Sequence, residues 1–60
     1  PGLLAQAEGA LAIGDFEATA EALAAMDEAE LARPETRRLR IALARATGRD
    51  ELARRLEAEG

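Results

Sequence analysis

The sequence predicts an all-α fold of four short helices, and three observations carry that expectation. Ala, Leu, Glu and Arg dominate the 60 residues, and all four are good helix formers. β-Branched residues are few, and no stretch alternates apolar and polar for long enough to make a strand. Gly14, Pro34 and Gly48 then cut the chain into helix-length pieces.

The first helix is expected over residues 2–13, stopped by Gly14 as a left-handed cap. Gly9 falls inside it, where glycine costs about 0.5–1 kcal/mol relative to alanine, so it is expected to serve the close approach of another helix. Asp15 is the N-cap of a second helix that carries Phe16, Ala20, Leu23 and either Met26 or Asp27 on one stripe. Asp27 and Glu28 disfavour a helix C-terminus, and Pro34 disfavours a helical Arg33, so this helix breaks before residue 33. Whether residues 27–33 form a turn of helix or a loop stays open. Pro34 suits the first turn of a third helix, with Glu35 near its positive end and Leu39, Ala42, Leu43 and Ala46 on its inner stripe. Gly48 is the next stop and Asp50 the expected cap of a last helix, whose inner face is Leu52, Ala53 and Leu56. A helix of that length is marginal alone in water and has to dock on its neighbours.

The chain is one domain at most, and a domain of this size buries only about 60% of the surface its unfolded chain exposes. Alanine supplies over half of the 48% apolar fraction, so the core must be thin. With no Cys and no His, a disulfide is impossible and a transition-metal staple is disfavoured, which leaves close alanine-mediated helix packing or burial against a partner. Ser, Lys and Tyr are missing too, so the usual general bases and nucleophiles are gone and no enzyme or cofactor site is expected. No apolar run is long enough for a membrane span, and no basic leader precedes one, which suits a cytoplasmic protein. The chain begins without Met and reads as an excised segment, a processed product or a designed chain.

Charge is divided along the chain. Residues 1–32 carry seven carboxylates and no cation, while all eight basic residues are arginines between Arg33 and Arg55; the halves stand near −7 and +3 within a net charge of −4. Arg33, Arg37 and Arg40 fall on one face of the third helix and Arg38, Arg45 and Arg49 on another. As a solvated face they would be partly paired with Glu17, Glu21, Glu28 or Glu30. Guanidinium groups also bind carboxylates bidentately, which makes Arg37, Arg38, Arg45 and Arg49 the candidate contacts for a protein or acidic peptide, with self-association as the other outcome of the charge split. A nucleic acid ranks below these, because the acidic half repels a polyanion and Phe16 is the only aromatic available for stacking. Asp27, Glu28 and Glu30 lack the ligand spacing and central glycine of a calcium loop and read as a solvated turn; Met26 reads as core filler.

The glycine stops are 34 residues apart, the period of the tetratricopeptide repeat. The stretch Ala10-Leu11-Ala12-Ile13-Gly14-Asp15-Phe16-Glu17-Ala18 resembles the turn between the two helices of that repeat, and Gly48-Arg49-Asp50-Glu51-Leu52-Ala53 is similar to a degenerate second copy. The resemblance implies two stacked antiparallel helical hairpins, over about residues 2–27 and 34–59, that bind peptides or partner proteins without catalysis or cofactor. About three repeats are normally needed for independent stability, so two units point to part of a longer array or a module completed by a partner. A designed helical mini-protein is the alternative: the missing lysine and helix-rich composition favour it, while Gly9 and the irregular stretch before Arg33 do not.

Overall fold

Helix α1, Leu3–Ala12, ends where Gly14 takes φ 77°. The Gly14 N–H donates to the Leu11 carbonyl (3.0 Å) and the Asp15 N–H to the Ala10 carbonyl (2.9 Å), so the last carbonyls of the helix are satisfied by a left-handed glycine cap. The Asp15 carboxylate then accepts the Ala18 N–H at 3.1 Å and starts α2, Phe16–Ala24. A computed structural model of the chain describes this architecture for residues 2–59.

The stretch left open by the sequence is a one-turn helix, α3, Glu28–Leu31. Asp27 and Glu30 cap it reciprocally: the Glu30 N–H donates to the Asp27 carboxylate (2.8 Å) and the Asp27 N–H to the Glu30 carboxylate (3.1 Å). The described residues therefore hold five helices rather than four. Arg33 is extended, as a residue before proline must be, and Pro34 opens α4, Pro34–Ala46.

A second glycine turn follows, with Gly48 at φ 78°, its N–H on the Arg45 carbonyl (3.2 Å) and the Arg49 N–H on the Ala44 carbonyl (2.7 Å). Every partner lies 34 positions after its counterpart in the first turn. That register explains a correction: Arg49, not Asp50, occupies the place of Asp15, its carbonyl accepting the Ala53 N–H at 3.1 Å, and α5 runs Asp50–Glu59. Asp50 sits inside the first turn, where its charge meets the positive helix end without capping it.

α1 packs chiefly on α2 and α4 on α5, while α1 and α3 each lie against α4. The core gathers Ala7, Ala22, Met26 and Leu39, with Leu3, Leu4, Leu11, Leu23 and Leu31 packed around them. Met26 is the expected filler. Ala7, Thr19 and Ala53 have no exposed surface, so the tightest positions belong to small side chains. The Cα envelope is a slab of 29 × 25 × 14 Å, little thicker than one helix with its side chains at about 10–12 Å.

Burial departs from the expected stripes in two helices. α2 turns Thr19 and Ala22 inward and leaves Phe16 and Ala20 exposed with Leu23 half-buried; α4 buries Thr36, Leu39 and Ala44 and exposes Ala42 and Ala46. The physical reason is that alanine has little surface to bury, so a threonine competes with it for the packed face; at Thr19 the hydroxyl is satisfied within the helix by the Asp15 carbonyl at 2.8 Å. Thr36 is equally buried, but its hydroxyl has no partner. Gly9 is exposed and a Cβ built on it would meet nothing within 4 Å, so it serves no helix approach. The inner face of α5, with Leu52 half-buried and Ala53 and Leu56 buried, matches the expectation.

Candidate functional site

The apolar residues that α2 does not bury form one wall of an open groove of about 430 Å³. Phe16, Ala20 and Leu23 recur at i, i+4 and i+7, which places them along one line of α2. The other side is built from Leu43 and Ala44 of α4, then Leu52 and Leu56 of α5 across the Gly48 turn. Leu56 and Ala44 are buried and close the bottom, while the remaining leucines are half-buried and Phe16 keeps 38% of its surface exposed. The volume falls in the range of ligand clefts, about 300–1,000 Å³.

Three charged residues border this apolar strip: Glu17 on the α2 side, and Arg40 and Arg49 on the other. Among the described residues the ion pairs are Arg33–Glu35 at 2.8 Å and Arg45–Glu57, neither of which engages those arginines. Both pairs also lie within the basic half. The pairings expected with Glu17, Glu21, Glu28 and Glu30 are not formed among the described residues: Arg33 pairs with its neighbour Glu35 and Arg45 with Glu57 of α5, while Arg37 and Arg40 share hollows with Glu28 or Glu17 without an ion pair. Thr47, also on the groove, donates its hydroxyl to the Leu43 carbonyl at 2.8 Å and is satisfied at the end of α4.

The four arginines singled out in the sequence are dispersed. Arg37 borders a shallow hollow with Glu28, Leu31 and Glu59; Arg38 borders another with Glu8, Leu11 and Glu35; Arg45 is exposed on its pair with Glu57. Only Arg49 reaches the apolar groove, where it is joined by Arg40. Their common place is invisible in linear spacing, since one is in α4 and the other in the turn that reverses the chain. The usable signal was the set Arg40, Leu43, Ala44 and Thr47 at i, i+3, i+4 and i+7.

Some of the remaining charged groups are engaged at helix ends. The Glu35 carboxyl is held below the usual carboxylate range, first by a backbone hydrogen bond at the start of α4 and then by the Arg33 guanidinium. Asp27 and Glu30 are engaged in the α3 cap. Among the described residues no group of three or more acidic side chains gathers as a metal site, and no helix is long and apolar enough to cross a membrane. What the groove offers chemically is apolar burial between oppositely charged edges. Compared with family models, with curated proteins and with solved structures, the chain finds no match in any of the three.

Proposed function

We propose that this chain is a non-catalytic protein-interaction module, a tetratricopeptide-like pair of stacked antiparallel hairpins that acts alone or within a longer array. The observation that carries the reading is the groove: Phe16, Ala20, Leu23, Leu43 and Leu52 are lined up on two walls without being closed over. Leaving such surface in water forgoes about 25 cal/mol for each Å² of apolar area, a loss that a partner recovers on docking. Two further features support it. The glycine turns repeat the same hydrogen bonds at the 34-residue period, and α1 with α2 and α4 with α5 are the dominant helix contacts.

Selection of peptide ligands from a random display library, followed by amide-shift mapping, tests the reading. Ligands are expected to shift Phe16, Leu23, Leu43 and Leu52, and to bind more weakly to Ala20→Gln, which adds bulk to an exposed groove position without removing a core contact. Ligands that map to other surfaces and ignore Ala20→Gln would remove the groove from its assigned role.

A further inference from the structure

Resting on the interaction reading, we infer that the occupant of the groove is an amphipathic helix of a partner protein, with carboxylates along the edge that meets Arg40 and Arg49. The walls decide the secondary structure of the ligand. Both sides are helices, α2 against α4 and α5, whose main-chain amides and carbonyls are consumed in their own hydrogen bonds. An extended peptide would find no strand edge to pair with and would lose water from its own backbone as it docked. A helix brings its backbone already bonded and presents side chains at i, i+3, i+4 and i+7, the spacing shown by Phe16, Ala20 and Leu23 on one wall and Arg40, Leu43, Ala44 and Thr47 on the other. Ala20 and Ala44 contribute no bulk, so the apolar ridge of an incoming helix can settle between Phe16, Leu23, Leu43 and Leu52.

Charge fixes which helix fits and which way round its edges lie. Arg40 and Arg49 stand on the α4–α5 side outside the ion pairs of the described residues, and Glu17 stands alone on the α2 side. A carboxylate facing the guanidiniums gains charge-assisted hydrogen bonds, and the same carboxylate facing Glu17 is repelled. The partner helix therefore carries Asp or Glu on one edge and neutral or basic residues on the other. A second copy of this chain is the competing occupant.

The experiment uses the full chain and synthetic peptides of about four helical turns with one leucine face. The first has an acidic edge on the Arg40–Arg49 side, the second the same edge made basic, and the third is the acidic peptide with a central proline that prevents helix formation. Fluorescence anisotropy at physiological salt is expected to rank the acidic helix about tenfold tighter than the basic one. Arg40→Glu with Arg49→Glu is expected to invert that order, and Arg49→Glu alone, at an exposed position in the α4–α5 turn, to narrow it should the double variant lose its helical circular dichroism. Equal affinity for both edges, or an order untouched by Arg49→Glu, overturns the charge assignment. Equal binding of the proline peptide at the groove overturns the helical occupant while leaving the interaction module standing. Sedimentation as a dimer with the groove amides protected puts a second copy in place of the partner helix and overturns the inference. Absence of any groove shift with all three peptides overturns the inference, while ligands selected without bias still test the module reading separately.

Discussion

Gly9 and Thr36 are the two residues at which local chemistry and tertiary packing disagree. Gly9 carries the backbone cost of glycine in a helix, yet a Cβ there would meet open space. Gly9→Ala is therefore expected to stabilise the fold by about 0.5–1 kcal/mol, read as a melting temperature several degrees higher; a lower one would reveal a close neighbour. Thr36 keeps 1% of its surface and its hydroxyl has no partner. An unmade hydrogen bond at a buried site costs about 1–3 kcal/mol. Thr36→Val keeps the branched shape and nearly the same helix propensity, so denaturant unfolding is expected to give a gain of about 1 kcal/mol. A loss would mean that the hydroxyl is bonded in solution. Neither position was legible beforehand: an interior glycine suggests crowding, and a threonine counts as polar until its neighbours are known.

At the level of elements, the helix boundaries follow from caps written in the sequence. Gly14-Asp15, Arg33-Pro34 and Gly48 each stand where a helix ends or begins, and positive φ at the two glycines is the conformation that an L side chain resists. Gly14→Ala and Gly48→Ala are each expected to cost about 1–2 kcal/mol, since a Cβ fits sterically in the open space but strains the left-handed backbone. Because the two turns share their hydrogen-bond register, the two losses should agree to within a few tenths of a kcal/mol by thermal melting; a markedly smaller loss at either site would show that its turn relaxes out of the left-handed form. The α3 capping box was equally present in Asp27-Glu28-Ala29-Glu30, but its two outer carboxylates read as a solvated turn because a one-turn helix has no hydrophobic period to announce it. Asp50 misled for a related reason. An acidic residue after a glycine stop resembles a cap, whereas the turn geometry gives that place to Arg49.

Across the whole molecule, the slab is thin and Leu39 is the one large apolar side chain of α4 that is buried. Leu39 belongs to the core cluster with Ala7, Ala22 and Met26, on the helix that lies against α1 and α3. Leu39→Ala is expected to cost about 2–5 kcal/mol. Marginal stability of about 0.05–0.15 kcal/mol per residue puts the total for a 60-residue chain at only several kcal/mol, so this variant should be largely unfolded near its parent's melting midpoint, as circular dichroism in urea would record. A loss below about 1 kcal/mol would mean that the pairs are held elsewhere. The division of charge contributes less to cohesion than its magnitude suggests. Both ion pairs are exposed and lie inside the basic half, where solvent screening leaves them little to contribute.

The amino-acid sequence by itself determined the all-helical class, the two glycine turns, the Asp15 and Pro34 starts and the inner face of α5, because propensity, capping and φ preference act within a few residues of the chain. Only the tertiary structure decided which apolar stripe is buried. Phe16, Ala20 and Leu23 have the spacing of a core face, but α2 buries Thr19 and Ala22 instead, and the stripe is left to border a groove with residues on both sides of Gly48. In an alanine-rich helix several faces are apolar enough to pack. The choice among them is made by how closely a neighbouring helix can approach, and that is a property of two helices rather than of one.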